Sequence, residues 1–374
     1  MTHRLLNSIL FTALAALSLV LAAARGPVSV NVIDRCWQST SGNWRRNRHK
    51  LATCSVGFSG KMTRNIGRGT VSYTVTDSTD NPTNPRRGTL RYGVSMVKGG
   101  KVWITFQKDM TIKLEKPLLI GSFTAIDGRG ANVHIAGGAC LTVLKAHDVI
   151  IHGLNIHHCR GQPASRVMGP GGKIVVLGPV DGDAIRLITS SKVWVDHNTL
   201  SACEDGLLDA TLGSTGITIS NNRFMNQDKV MLLGHDDTYV QDKNMKVTVV
   251  YNHFGPNCNQ RMPRVRHGYA HVTNNLYDGW SQYALGGSMD PTIMSEANLF
   301  IAPKQNKEVT WRKGYNQRSW SIYSVSDIFE NGASFTQTGL KGAAKPSYGP
   351  DQRFRVASAR SVRAITSSAG ALKQ

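Results

Sequence analysis

Four aspartates carry the strongest chemical signal in this chain. Asp181 and Asp183 stand two residues apart, and Asp205 and Asp209 stand four apart, so each pair faces one side if it lies in a strand. Carboxylates gathered in this way repel one another unless a cation neutralises them, and several oxygen ligands are what calcium prefers. The aspartates therefore predict a metal site. The alternative is two turns, Asp-Gly-Asp and Glu-Asp-Gly, with solvated acids.

The basic residues that follow are suited to an acidic partner. Lys229 lies on a later repeat than the aspartates, and a short stretch around Pro263 then holds three arginines: Arg261, Arg264 and Arg266. Guanidinium groups bind carboxylates or phosphates through paired hydrogen bonds. Together with the aspartates, they predict an acidic substrate bridged to the protein through metal. The alternative is a generic basic surface, because the chain has 44 Lys and Arg residues.

Two histidines are weaker candidates for acid–base chemistry. His197 and His235 titrate near neutral pH in principle, but a single histidine near a strand is more often structural.

The composition favours a polyanionic partner outside the cell. The chain has 374 residues, 40% of them hydrophobic, and a formal charge of +20, which attracts nucleic acid, anionic membrane or acidic polysaccharide. Arg4 precedes an apolar run that ends in Ala22-Ala23-Ala24, which predicts a signal peptide over residues 1–24. A membrane anchor is the alternative, but the run is short for a span and no later segment is apolar enough. We therefore expect a secreted protein of residues 25–374.

Secretion makes disulfide bonds possible. Among six cysteines, the short loops favour pairing Cys36 with Cys54 and Cys140 with Cys159. The state of Cys203 and Cys258 stays open. No CxxC pair occurs, which argues against a structural zinc site.

A repeat sets the expected architecture. Apolar strands end in an Asn-x-apolar or Asn-x-aromatic motif with steps of 24, 30, 23 and 23 residues, at Asn198, Asn222, Asn252, Asn275 and Asn298. Such a period predicts a solenoid, and short β-branched strands make it a β-solenoid. Stacked asparagines would form a ladder of side-chain hydrogen bonds. The alternative is a β-sandwich with unrelated turns. We expect a cap over about 25–100, coils over about 101–303 and a C-terminal arm over about 304–374.

At these residues the chain resembles the plant pectate lyases, close to the conifer pollen allergen branch. The resemblance covers nearly everything from Cys36 onward and is specific. The matching segments are Asp181-Gly-Asp-Ala-Ile185, Val193-Trp-Val-Asp-His-Asn198, Asp205-Gly-Leu-Leu-Asp209, Val230-Met-Leu-Leu-Gly-His235, Gln260-Arg-Met-Pro-Arg264 and Gly286-Gly-Ser288. The resemblance implies an all-β fold, a right-handed parallel β-helix.

The resemblance also implies an activity, the calcium-dependent β-elimination of de-esterified homogalacturonan in the cell wall. Asp181, Asp205 and Asp209 match the family's calcium ligands, with Asp183 beside them. Arg261 matches the proposed base, and Lys229 and Arg266 match substrate-binding positions, to which the arginine cluster adds Arg264. Free arginine stays protonated near neutrality, so this role requires neighbouring cations or an alkaline medium. We expect a monomer that binds neither nucleic acid nor membrane.

Two departures from the family pattern concern the C-terminal region. The segment Ser319–Asp327 is altered, and a cysteine pair found nearby in the pollen relatives is missing. Four other functions compete: a catalytically weak or inactive pectate-binding wall protein, a metal-free pectin lyase, a polygalacturonase-type hydrolase and a nucleic-acid binder. Hydrolysis needs an acid–base carboxylate pair, whereas these acids are suited to metal. The chain also lacks the interleaved aromatic and basic residues of nucleic-acid binders.

Overall fold

The computed structural model describes residues 28–39, 43–313, 320–339, 342 and 344–372. The predicted leader over residues 1–24 lies outside these ranges, as does Ser319 at the start of the altered segment. Within these ranges no helix has the length and apolar character needed to cross a membrane.

The described chain is a parallel β-helix, as predicted, in which each coil contributes short strands to three sheets. β-branched residues fill these strands, which suits a surface buried on its inner face. The first sheet runs β1 (Thr70–Val75), β2 (Lys101–Phe106), β5 (Thr124–Asp127), β8 (His147–His152), β13 (Ser191–Asp196), β16 (Thr215–Ser220), β20 (Lys246–Val250), β23 (Arg264–Thr273), β25 (Leu285–Glu296) and β28 (Ser321–Val325).

The other two sheets complete each coil. The second sheet contains β4 (Leu118–Ile120), β7 (Leu141–Leu144), β12 (Ile185–Ile188), β15 (Leu208–Thr211), β19 (Met231–Leu233) and β27 (Thr310–Lys313), and the first residues of β23 and β25 pair into it. The third contains β3 (Met110–Ile112), β6 (Val133–Ala136), β9 (Asn155–His157), β14 (Thr199–Ser201), β17 (Arg223–Met225), β21 (His253–Phe254), β24 (Leu276–Asp278), β26 (Leu299–Ile301) and β29 (Ile328–Glu330).

Two strand pairs lie outside these sheets. An antiparallel hairpin joins β10 (Ser165–Gly169) to β11 (Lys173–Leu177), and a short parallel pair joins β18 (Gln227–Lys229) to β22 (Cys258–Gln260). The second pair contains Lys229, one of the predicted substrate-binding residues, whose register partner is Gln260.

The coils reach further at both ends than the expected 101–303. At the start, β1 already pairs in parallel with β2, although it lies in the expected cap. At the end, β27, β28 and β29 continue the sheets beyond residue 303. The last coil carries Asp327 where earlier coils carry asparagine, so the repeat continues there with a related residue that an asparagine pattern does not detect.

The asparagine ladder is confirmed. Each of the five asparagines is fully buried, and each side-chain amide donates to the side-chain oxygen on the next coil at 2.9–3.1 Å. The ladder ends on Asp327, which accepts from Asn298 at 3.1 Å. A second ladder of stacked rings follows the third sheet, with centroids 4.4–5.6 Å apart: Phe224, Phe254, Tyr277, Phe300 and Phe329.

Among the described residues, three short α-helices lie outside the sheets, and the first and last of them pack against the side of the coils. They are α1 (Val32–Gln38), capped by the Asn31 side chain, α2 (Leu90–Ser95), capped by Thr89, and α3 (Val362–Ile365). Short 3₁₀ turns cover Arg48–Thr53, Gly57–Ser59, Thr63–Asn65, Val240–Asn244 and Ala359–Ser361.

Both predicted disulfides are present, and the C-terminal arm lies along the coils. The bonds join Cys36 to Cys54 and Cys140 to Cys159, whereas Cys203 and Cys258 are free. In the arm, Ala357 N donates to the side chain of Asn274, and Gly370 N donates to the backbone of Asn221. These contacts tie the arm to the coils.

Candidate active site

The β-helix brings the predicted carboxylates together. Asp181 and Asp183 precede β12, Asp205 precedes β15 one coil later, and Asp209 is the second residue of β15. One oxygen from each of Asp181, Asp183 and Asp205 lies within 4.8 Å of the others. Aspartates more than twenty residues apart thus form one cluster, because one coil separates them.

Asp209 joins this cluster through Gly206. Gly206 N donates to Asp183 Oδ1 at 2.6 Å, and Leu232 N donates to Asp209 Oδ1 at 3.2 Å. A Cβ added to Gly206 would lie 2.7 Å from Asp183 Oδ1 and from Asp209 Oδ1, so any side chain there would push between the two carboxylates. The glycine therefore keeps the space between them free.

The carboxylates of this cluster repel one another when no cation is bound. Burial, followed by the charges of Asp181 and Asp205, raises the pKa of Asp183 to about 7. Burial and the charges of Asp183 and Asp205 raise the pKa of Asp209 well above its usual range. A divalent ion would remove this repulsion. The donor set consists of carboxylate oxygens, which suits a hard cation, so the residues fit such an ion.

Two cations of the chain itself contact the cluster. Lys229 Nζ lies 2.5 Å from Asp205 Oδ1. Arg186 on β12 lies 3.3 Å from Asp183 Oδ2 and 3.7 Å from Asp181 Oδ1. Sequence reasoning selected Lys229 but missed Arg186, although it follows Asp-Gly-Asp-Ala-Ile directly in the sequence.

Arg261 is held in an unusual backbone conformation beside the cluster. Its φ is 64°, and its Nε is buried without a hydrogen-bond partner among the described residues. Tyr283 lies beside it: burial raises the pKa of the Tyr283 hydroxyl, and the neighbouring Arg264 and Arg261 side chains oppose that rise. A buried donor without a partner is costly, so both the backbone and the side chain of Arg261 are held in an unfavourable state by the surrounding structure.

Arg264 lies on the next strand along the same surface. Its guanidinium stacks over Trp311 at 5.3 Å, and its Nη2 donates to Ser288 Oγ at 3.3 Å. Burial and then the charge of Arg266 lower its pKa, with a further contribution from Arg261. Arg264 thus lies close enough to Arg266 and Arg261 for their charges to disfavour its own.

The Arg266 side chain forms several polar contacts within the protein, which the sequence does not reveal. Its Nη1 donates to the carbonyl oxygens of Gly234 and His235 at 3.0 and 2.9 Å, and its Nε lies 3.3 Å from Asp237. These bonds hold the side chain against the turn after β19, next to the other arginines.

Strand register explains this grouping. Arg186 pairs with Asp209 across β12 and β15, Asp209 pairs with Leu232, and Leu232 pairs with Arg264. In a parallel sheet in register, partners on neighbouring strands project to the same side. The second sheet therefore presents acidic and basic residues in one row along the β-helix axis.

The two candidate histidines lie outside this row. His197 is fully buried and forms ion pairs with Asp196 and with Asp34 of α1. His235 lies 3.4 Å from Asp236 in the turn, and only its backbone oxygen contacts Arg266. Gln227, which sequence reasoning also missed, bonds to Cys203 through both side-chain atoms and to the Asp205 carbonyl, so it positions the loop that carries Asp205.

The fold and site define a class: a parallel β-helix whose outer face presents an acidic cluster beside arginines. The pectate lyase family model matches residues 109–374. The chain is 49% identical over 367 residues to pectate lyase 1 of Hesperocyparis arizonica, covering 96% of this chain and 98% of the relative. Probable pectate lyase 9 of Arabidopsis thaliana is 50% identical over 91% of this chain and 75% of its own length. The chain therefore belongs to the pectate lyase family and is an enzyme of that class.

Solved structures agree with this assignment. The crystal structure of jun a 1, the major allergen from cedar pollen, matches with a TM-score of 0.85 and 46% identity over 92% of this chain and 100% of that chain. A pectate lyase from Bacillus sp. N165 in complex with trigalacturonate matches with a TM-score of 0.59 at 20% identity over 85% of this chain and 98% of its own, which supports the fold alone.

Proposed function

We propose that this chain is a secreted, calcium-dependent pectate lyase that cleaves de-esterified homogalacturonan by β-elimination in the cell wall. The observation that carries the proposal is the convergence of three carboxylates within 4.8 Å, next to a group of arginines. An acidic polymer satisfies both halves of this site, because its carboxylates bind arginine and share a cation with the aspartates. A pectate lyase of the same fold has been solved in complex with trigalacturonate, an oligomer of this substrate class.

Asp181, Asp183, Asp205 and Asp209 would hold the calcium ion. When bound, calcium supplies positive charge against the uronate carboxylate and makes the neighbouring C5 proton more acidic. Lys229, Arg264 and Arg266 orient the substrate carboxylates and stabilise the negative charge that develops as the proton leaves.

Arg261 is the proposed base. It takes the C5 proton, the electrons of that C–H bond form the C4=C5 double bond, and the C4–O4 bond breaks. The departing O4 takes a proton from solvent, and the product is a 4,5-unsaturated oligogalacturonide.

Secretion is proposed on two grounds. The apolar run before residue 25 has the pattern of a leader, and disulfides form in oxidising compartments outside the cytosol. The positive net charge of the chain is complementary to an acidic wall polymer.

The test is an assay on polygalacturonate at alkaline pH, with calcium or with a chelator. We expect ultraviolet absorbance from unsaturated product only when calcium is present. New reducing ends without absorbance would instead show hydrolysis. No reaction in either condition, together with retained polymer binding, would show a binding protein on a lyase fold.

A single substitution tests the base. Arg261→Lys keeps the charge and the same backbone strain, so we expect calcium and polymer to bind while turnover falls at least about a hundredfold, as for loss of general-base catalysis. Arg64→Lys, at an exposed arginine that pairs with Asp148, is the control and should leave turnover unchanged. Near-parent turnover in Arg261→Lys would show that another group removes the proton.

A further inference from the structure

Three histidines that the proposed reaction does not use converge on the outer side of the third sheet. His134 lies on β6, His157 ends β9, and His158 follows it. His134 Nδ1 is 2.9 Å from His157 Nε2, and His157 Nδ1 is 2.7 Å from His158 Nδ1. The His157 ring therefore lies between two other imidazoles, while the His158 ring is exposed to solvent.

The backbone fixes these rings in place. On the neighbouring strands β6 and β9, His134 is the register partner of Asn155, and Ala136 is the partner of His157. The two histidines are thus two register positions apart and project to the same face. The disulfide at Cys159 and a hydrogen bond from His158 N to Ser201 O at 3.3 Å hold the following residues.

The environment favours an uncharged His157 ring. Burial, followed by the charges of His134 and His158, lowers the pKa of His157. No carboxylate forms an ion pair with any of the three rings in the described ranges. Neutral imidazole is the form that binds metal ions.

One arrangement of the ring protons creates a pair of ligands. Three neutral rings carry three N–H protons. In this arrangement His157 carries its proton on Nδ1 and donates it to His158, while His134 carries its proton on Nε2. The two facing atoms, His134 Nδ1 and His157 Nε2, then both present lone pairs. Two nitrogens at right angles, each about 2.05 Å from a metal, lie about 2.9 Å apart, which is the separation found. The hydrogen bond from His157 Nδ1 to His158 fixes the orientation of the His157 ring. Metal-binding histidines are commonly oriented by such a hydrogen bond from their other ring nitrogen.

We propose that His134 Nδ1 and His157 Nε2 bind a divalent transition-metal ion, Cu²⁺ most strongly, with His158 accepting the outer hydrogen bond from His157. Imidazole is suited to copper, nickel and zinc, and right-angled nitrogen ligands suit the tetragonal geometry of Cu²⁺. Among divalent ions, affinity at nitrogen sites is highest for Cu²⁺. Water completes the coordination, and the site is distinct in chemistry from the all-oxygen acidic cluster.

The test is a Cu²⁺ titration of the full chain in excess calcium, with glycine as a competing ligand. Binding is followed by visible absorption and by the nitrogen hyperfine pattern in electron paramagnetic resonance. The full chain used here is the secreted form, residues 25–374, from which the proposed leader has been removed. We expect His134→Ala and His157→Ala to weaken binding at least about a hundredfold, and His158→Ala about tenfold, as for outer partners.

The control is His147→Ala, at another partly exposed histidine that bonds to Asp148. It should bind Cu²⁺ like the parent. Parent-like affinity in His134→Ala or His157→Ala would overturn the proposal, and so would equal losses in the control and in these variants. Circular dichroism and thermal melting of each variant separate lost ligands from lost folding.

Discussion

At the scale of single residues, Arg186 changes how the acidic cluster is understood. Its guanidinium lies between Asp181 and Asp183, two of the four proposed calcium ligands. A cation of the chain thus offsets part of the carboxylate repulsion that calcium would otherwise relieve. Calcium binding must therefore compete with this arginine or displace it, so Arg186 is expected to weaken calcium affinity.

Removal of Arg186 should tighten calcium binding. A unit charge about 4 Å away contributes about 1 kcal/mol even at the dielectric constant of water, so we expect at least about fivefold higher affinity in Arg186→Ala. Calorimetry with Ca²⁺ or terbium luminescence measures this without any substrate. Arg160→Ala is the matched control, because Arg160 pairs with Glu204 beside the cluster rather than with its aspartates. Unchanged or weaker binding in Arg186→Ala would contradict the competition.

At the scale of elements, the asparagine ladder keeps neighbouring coils in register. Asn252 stands in its middle: its amide donates to Ile219 O and to Asn275 Oδ1, both at 2.9 Å, and its Oδ1 accepts from the backbone and side chain of Asn222. All of these groups are buried within the core of the turn. Each would be left unpaired if the side chain were shortened.

Asn252→Ala should therefore be strongly destabilising. Each unsatisfied buried polar group costs about 1–3 kcal/mol, and partial relaxation leaves an expected loss of about 3 kcal/mol in the free energy of unfolding. Chemical denaturation measures the change. Asn132→Ala, at an exposed asparagine that bonds to Asn155, should stay within about 0.5 kcal/mol of the parent. A similar small effect at Asn252 would show that the ladder contributes little to stability.

At the scale of the whole molecule, distant segments meet at a buried charged cluster. Asp34 of α1 forms an ion pair with His197 at 3.1 Å, and His197 also pairs with Asp196 at 2.7 Å. Ser368 from the C-terminal arm donates to Asp34 at 2.7 Å. Burial alone would lower the pKa of His197, but Asp196 and Asp34 outweigh it and raise that pKa to about 10. The cluster joins the first helix, a central coil and the arm.

This cluster makes stability depend on pH. The folded state keeps the His197 proton up to about pH 10, whereas the unfolded chain loses it near pH 6.5. The contribution is therefore complete below about pH 6.5 and is lost as pH rises towards 10. With calcium saturating, we expect the free energy of unfolding to fall by about 1.4 kcal/mol per pH unit between pH 7.5 and 8.5.

Denaturant titrations across this range measure the slope. Asp34→Asn removes one of the two carboxylates that raise the pKa of His197. That pKa should fall, so the decrease in stability should end at a lower pH. His197→Gln should abolish the slope, whatever it does to absolute stability. A slope that persists in His197→Gln would assign the dependence to another group.

The sequence by itself determined the coil, the ladder and the choice of most residues in the proposed site. A period of 23–30 residues in short β-branched strands leaves few architectures, and the motifs around Asp181, Asp205 and Arg261 are specific. The asparagine pattern underestimated the extent of the coils, because the last coil carries Asp327 in place of asparagine and β1 lacks the motif. Pairing of cysteines across short loops was also predictable.

Only the tertiary structure decided what the side chains do with one another. Arg186, Gln227 and Gly206 carry no spacing signal, and their roles appear only once neighbouring coils place them against the aspartates. The same holds for the facing rings of His134 and His157, which come from adjacent strands. The physical reason is that the repeat fixes which residues share a face, whereas distances, burial and protonation depend on the packing between coils.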